Sequence, residues 1–235
     1  MSALLTIENL NAGYGGVPVV RGLDLTVNEG EVVALLGPNG AGKTTTLLTT
    51  TGLIPIIGGD IKIRGTSIRG RRPYRLAREG TAMVPEDRAL FFGLTVRENL
   101  RLSGGADHSK VFEYFPALEK LLERRAGLLS GGEQQMLAVG RALLMKPRLL
   151  IIDEMSLGLA PVIVQSLLPV LRRVVADSGC GVLLVEQHVQ SALEVAERAY
   201  VLAHGELVLE GTSEQLRRDR HLLESSYLGE QSLDE

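Results

Sequence analysis

Val32-Val-Ala-Leu-Leu-Gly-Pro-Asn-Gly-Ala-Gly-Lys-Thr44 is the stretch that decides the fold. Its first five residues are apolar throughout, as in a strand buried on both faces of a parallel sheet. Gly37 to Thr44 then fits the spacing GxxxxGK[ST], with a helical pattern behind it. Glycines let backbone N–H groups close around phosphate oxygens, and the following helix adds its positive N-terminal end. Lys43 can reach the outer phosphates of a nucleotide, and the Thr44 hydroxyl can ligate Mg²⁺. The expected nucleotide contacts are therefore Gly37, Pro38, Asn39, Gly40, Ala41, Gly42, Lys43 and Thr44, with Thr45 beside them.

Two further apolar runs end in polar residues of the kind a reaction needs. Leu149 to Ile152 runs into Asp153-Glu154, and Val182 to Val185 runs into Glu186-Gln187-His188. Ligands of an open α/β sheet gather at such strand ends. Asp153 is expected to complete the Mg²⁺ shell through water, and Glu154 to orient and deprotonate an attacking water. Helical patterns at Glu133–Met145 and Pro161–Val175 alternate with these strands, which predicts an α/β architecture. Leu4–Leu10 and Leu23–Val27 read as short alternating strands, and Tyr200–Leu202 and Glu206–Leu209 as a hairpin about His204-Gly205. Leu and charged residues at helical spacing predict a helical subdomain over roughly 88–146 of a single domain spanning 1–235.

Leu129-Ser-Gly-Gly-Glu-Gln-Gln135 opens the Glu133 helix. Ser130 and Glu133 have capping-box spacing, and Gly131 and Gly132 leave the helix N–H groups uncovered, which suits an anion. The same residues also suit an ordinary capped helix start. Ser103-Gly104-Gly105 lacks the following Glu and is assigned to a loop. One chain thus offers two phosphate-binding helix ends but one lysine and one Asp-Glu pair. The second end is expected to complete another subunit's site, with two chains head-to-tail over two nucleotides.

Composition sets the outer bounds. Apolar residues make up 45% and charged residues 23%, ordinary values for a globular domain. The net charge of −3 gives no global attraction to nucleic acid, and none is expected as a partner. The single cysteine, Cys180, cannot form an internal disulfide and reads as a small residue at a strand entrance. The beginning lacks a secretory pattern, and no apolar run approaches the ~20 residues of a membrane span. A soluble chain with a peripheral membrane role is the expectation. Arginines at 69–78 around Pro73 read first as a solvated face, and second as a surface for lipid or a membrane partner.

The phosphate loop, the Leu-Ser-Gly-Gly turn and the Asp-Glu strand end, in this order and spacing, resemble the ABC transporter ATPase family. The resemblance covers essentially the whole chain and implies a P-loop fold of ABC type. Such a fold has a mixed sheet core, a small antiparallel β-subdomain and an inserted helical subdomain. It also implies ATP and Mg²⁺ as ligands, Tyr14 as the ring that stacks on adenine, and Ser156-Leu-Gly-Leu159 as a loop touching the partner ATPase. Val84-Pro-Glu-Asp-Arg88, Ser156-Leu-Gly-Leu-Ala-Pro161, Leu184-Val-Glu-Gln187 and Tyr227-Leu-Gly229 are similar to the ATPases of branched-chain amino acid importers. Urea and amide importers share much of that pattern, and soluble ABC ATPases without a channel are the alternative class. The likeness implies a homodimer or heterodimer with a second ABC ATPase, two transmembrane permease subunits and an external solute-binding protein. The implied location is the cytoplasmic face of the inner or plasma membrane, as a peripheral subunit.

Three positions depart from the wider family. Glu86 stands where a Gln usually links Mg²⁺ and the membrane partner, which keeps the coupling role and puts the ligand role in question. Gln187 holds the usual switch-histidine position and can donate to the γ-phosphate without titrating. His188 follows it on the opposite face and reads as an exposed or satisfied polar residue. Met155 replaces a Pro, which frees the backbone and predicts a slightly more mobile loop.

Overall fold

The computed structural model describes residues 2–104 and 107–218. Gly105 and the Tyr227-Leu-Gly229 stretch lie outside them. Strands β1 (Ala3–Tyr14) and β2 (Val17–Asn28) form a long antiparallel hairpin. They are longer than the sequence pattern suggests. Register shifts interrupt the alternation between Ile7 and Leu10, and pairing resumes beyond them as far as Tyr14 and Val17. Strand β3 (Val32–Leu36) enters the phosphate loop and helix α1 (Lys43–Thr50) leaves it. Strands β4 (Ile56–Ile63) and β5 (Thr66–Ser67) complete an antiparallel sheet of order β2-β1-β4-β5.

Helix α2 (Pro73–Arg78) leads to strand β6 (Thr81–Val84). The arginines around it are largely engaged. Arg71 pairs with Glu79, Arg69 donates to the Ile56 and Gly59 carbonyls, and Arg78 lies over the Tyr74 ring. Helices α3 (Val96–Arg101), α4 (Ser109–Tyr114), α5 (Pro116–Glu119) and α6 (Gly131–Leu144) follow before the chain returns as β7 (Leu149–Asp153). The rest alternates: α7 (Pro161–Ser178), β8 (Gly181–Glu186), α8 (Val189–Val195), β9 (Arg198–Ala203), β10 (Glu206–Thr212) and α9 (Ser213–Arg218).

The second sheet has the order β10-β9-β3-β8-β7-β6 and is parallel except for the β9–β10 hairpin. His204 and Gly205 turn that hairpin with φ of 51° and 85°, as a tight turn of this length requires. Strand side chains alternate between faces. Val33, Leu35, Ile151, Leu183 and Val185 pack with Leu5, Ile7, Val27 and the α1 residue Leu47 between the two sheets. Val32, Ala34, Leu36, Leu150, Ile152, Val182 and Leu184 pack on Leu137 and Val139 of α6 and on Leu167 and Leu171 of α7. Each fully buried Leu or Val contributes roughly 1.5–3 kcal/mol, and this double burial is why these strands read as continuous apolar runs.

The sheets are also joined near the starts of β3 and β9. The buried Glu31 carboxylate receives the Arg198 guanidinium, Nε to Oε1 at 2.6 Å. The same guanidinium donates to the Thr26 carbonyl at 3.0 Å and the Tyr200 hydroxyl at 2.8 Å. Cys180 is buried immediately before β8, the structural position its neighbours imply.

Candidate active site

The expected residues of the phosphate loop gather where the sheet's central strands end. Gly42 caps α1 with φ 102°, and a Cβ there would lie 2.7 Å from Val20 Cγ2. Only glycine meets both conditions. This contact also seats the β1–β2 hairpin against the loop. Tyr14 ends the hairpin's first strand with 52% of its surface open, as a base-stacking ring requires. Thr44 is exposed on the first turn of α1, and Thr45 beside it is buried. Lys43 is 5% exposed; its Nζ donates to the Gly37 carbonyl at 2.8 Å and the Pro38 carbonyl at 3.1 Å, and lies 3.5 Å from Glu154 Oε1.

β7 lies between β6 and β8, so its end brings the acidic residues to the loop. Register pairs Val84 with Ile152 and Asp153 with Val185. Glu86 and Gln187, each two residues beyond those partners, therefore reach the end of the sheet that carries Asp153 and Glu154. Glu154 has φ 46°, a left-handed value that non-glycine residues rarely hold. Its N–H donates to the Val185 carbonyl at 2.9 Å, which fixes it there. Asp153 is 3% exposed, and its Oδ1 is buried without a hydrogen-bond partner among the described residues. Burial, then the charges of Glu154 and Glu86, push its carboxyl up to about 6; Lys43 pulls down and Glu186 adds to the rise. An orphaned buried carboxylate oxygen amid this negative charge fits a hard cation. No group of three or more His, Cys, Asp or Glu side chains among the described residues could by itself hold a metal. Mg²⁺ needs no such group, because it takes one or two protein oxygens and keeps waters or phosphate oxygens.

Glu186 is the residue that sequence reasoning missed here. It is 1% exposed, and its carboxylate accepts from Ser156 N at 3.0 Å and Ser156 Oγ at 2.7 Å. Burial pushes its carboxyl above the usual range against the pull of the Ser156 bonds. A carboxylate ending an all-apolar strand was the available signal. Together with the burial of the Met155 side chain, this tie holds the first two residues of the loop after Glu154. His188 is exposed at the start of α8, while Gln187 is half-buried.

The Ser130 turn stands apart from this cluster. Ser130 N donates to Glu133 Oε2 at 2.7 Å and Glu133 N to Ser130 Oγ at 3.4 Å, a closed capping box. Gly131 faces Leu159 and the Arg88 guanidinium, and Gly132 packs on Ile163. No hydrogen bond or ion pair among the described residues joins Ser130, Gly131 or Gly132 to Lys43. A cavity of about 960 Å³, lined by Leu4, Glu29, Tyr114, Arg148, Asp177 and Cys180 among others, opens at the opposite ends of β7 and β8 and contains none of the expected site residues.

The ABC transporter family model matches residues 20–156. The chain is 40% identical over 234 residues to the high-affinity branched-chain amino acid transport ATP-binding protein BraG of Pseudomonas aeruginosa, covering 96% of this chain and 100% of that one. It is 36% identical over 238 residues to the lipopolysaccharide export system ATP-binding protein LptB of Escherichia coli, covering 97% and 98%. Among solved structures, an ATP-binding subunit of an ABC transporter superposes with a TM-score of 0.80 at 31% identity, over 96% of this chain and 98% of that one. An ATP-binding cassette in its ADP conformation gives 0.85 at 25% identity, over 98% and 100%. The phosphate loop at a sheet end, the fold around it and these likenesses agree, and the chain belongs to the ATP-binding, ATP-hydrolysing subunits of the ABC transporter family.

Proposed function

We propose that this subunit hydrolyses Mg-ATP as one half of a two-ATPase sandwich and drives uptake of branched-chain amino acids through two permease subunits served by an external binding protein. The observation that carries the catalytic part is the convergence of Lys43, Asp153 and Glu154 at one sheet end, with the capped Ser130-Gly131-Gly132-Glu133 turn held apart from it. A helix end that lacks its own lysine is suited to a nucleotide on a partner ATPase.

In this reading the backbone of Gly37 to Gly42 cradles the phosphates and Lys43 neutralises the outer ones. Tyr14 stacks on the base, and Thr44 and Asp153 hold Mg²⁺, with Glu86 near enough to add its charge. Mg²⁺ supplies charge neutralisation at the phosphates when bound. Glu154 takes the proton of the attacking water, and the Gln187 amide donates to the γ-phosphate. Leaving Gly37 and Pro38 lets the Lys43 ammonium meet phosphate, and leaving Glu154 frees that carboxylate for water.

The substrate class rests on BraG and on the probable branched-chain amino acid transport ATP-binding protein LivF of Archaeoglobus fulgidus, 34% identical over 91% of this chain. The LptB likeness favours a second reading, an exporter ATPase for lipopolysaccharide. Peripheral attachment at the cytoplasmic face suits either, since no helix among the described residues is long and apolar enough to cross a membrane. Exposed Phe91, Phe92 and Leu128 offer an apolar surface to a permease, with Phe92 and Gly127 bonded through their backbones at 3.0 Å.

The test is hydrolysis by Glu154→Gln beside the wild type. The variant is expected to bind ATP normally and turn over about 10²–10⁴-fold more slowly, the scale of a lost general base. Wild-type turnover would remove Glu154 from this role. Labelled leucine uptake by the assembled transporter, absent without this subunit, separates the importer from the exporter reading.

A further inference from the structure

We infer that Arg88 is a positioning residue that fixes the Ser130–Glu133 turn relative to the loop carrying Glu86, acting through Gln134 and Gln135. The inference rests on the two-ATPase reading and names a residue that reading does not use. Arg88 and Ala89 hold φ of 63° and 46°, two consecutive left-handed residues without a glycine between them. Such backbone persists where its surroundings over-determine it. Here they do: Arg88 N donates to the Pro85 carbonyl at 2.8 Å, Ala89 N to Asp87 Oδ1 at 3.1 Å, and Arg141 Nη1 to the Ala89 carbonyl at 2.7 Å.

The Arg88 side chain then spans to α6. Nε donates to Gln135 Oε1 at 3.0 Å and Nη1 to Gln134 Oε1 at 2.8 Å. Gln135 is 3% exposed and forms part of the helix's buried face. The Gln134 amide in turn donates to the carbonyls of Ala126 at 3.2 Å and Leu129 at 3.3 Å, the second immediately before Ser130. The third guanidinium nitrogen faces Gly131, 3.8 Å from where a Cβ would stand. A planar fork serves two acceptors on successive residues, which an ammonium cannot reproduce. At the other end, Glu86 lies two residues away and its charge is felt at Asp153. A shift of the loop after β6 is therefore passed to the turn that the partner's nucleotide meets.

The experiment compares Arg88→Met, Arg88→Lys, Gln134→Ala and the Arg88→Met/Gln134→Ala double variant. Hydrolysis, binding of a fluorescent ATP analogue to the isolated subunit, and thermal melting are measured for each. Arg88→Met is expected to lower kcat about ten- to a hundredfold, the scale of a misplaced reacting group, with KM and analogue affinity near wild type and Tm only a few degrees lower, because Gln135 loses its donor. Arg88→Lys recovers part of the loss, and the double variant loses little more than Arg88→Met, since both break one link. Wild-type kcat in Arg88→Met overturns the proposal. So do additive losses, or a kcat loss matched by a larger loss of Tm and a loss of analogue affinity, which would mark a merely structural arginine. A Glu154→Gln protein that hydrolyses at the wild-type rate sinks the general-base reading instead and leaves the Arg88 comparison standing.

Discussion

At the scale of single residues, Asp153 holds its charge at a cost. Its carboxyl moves from the usual 3.8 up to about 6, first through burial and then through neighbouring acids. The folded protein binds this proton more tightly than the unfolded chain. Asp153 therefore favours folding below the unfolded value, and that contribution is lost as pH rises through the folded one. In metal-free protein, Asp153→Asn is expected to melt about 5 °C higher than wild type at pH 8. The gap should close as pH falls from 6 toward 4. Calorimetry across that range checks it, and a gap independent of pH would contradict it. At the neighbouring strand end, Gln187→Ala is expected to lose ATPase activity and His188→Ala to keep it. Full activity in Gln187→Ala would show that the amide does not serve the γ-phosphate.

At the scale of elements, the Glu31–Arg198 pair binds β9 to the turn before β3 and reaches β2 through the Thr26 carbonyl. Arg198→Ala leaves the buried Glu31 carboxylate without its guanidinium and is expected to cost about 2–3 kcal/mol of stability, because a stranded buried charge is the expensive case. Urea unfolding measures this, and a loss below about 0.5 kcal/mol would place the pair with ordinary surface bridges. The pair also shows why some of the molecule was hidden in its sequence. Strands β3, β7 and β8 were legible because each is apolar on both faces, and α6 because Ser130 and Glu133 announce its cap. Lys43 was a candidate from motif spacing, and Asp153 and Glu154 from the apolar run that ends in them taken with the phosphate loop. Glu31 and Arg198 lie 167 residues apart, and no local pattern connects them. Glu186 and Arg88 were quoted within recognisable stretches, but their tasks depend on which segments the sheet order makes neighbours. The full length of β1 and β2 was obscured because bulges break their alternation.

At the scale of the whole molecule, the site as described has one phosphate loop and one capped helix end that no hydrogen bond or ion pair among the described residues joins. Glu154→Gln, which holds ATP without turning it over, is expected to sediment as a dimer with Mg-ATP and as a monomer without it. A variant that stays monomeric at high concentration would require a second, different ATPase to complete the pair. The way the helices are hung bears on how such a pair closes. The chain leaves β6 after Val84 and returns at Leu149, and register sets Thr81 beside Leu149 and Val84 beside Ile152. The helices α3 to α6 thus depart from the upper end of the sheet's edge strand and come back at the lower end of its neighbour, about 10 Å away along the strands for three steps of strand. They are strung between two anchor points on neighbouring strands, while Leu137 and Val139 of α6 are buried against the same sheet that carries Asp153 and Glu154, and Arg88 stands just beyond the upper anchor.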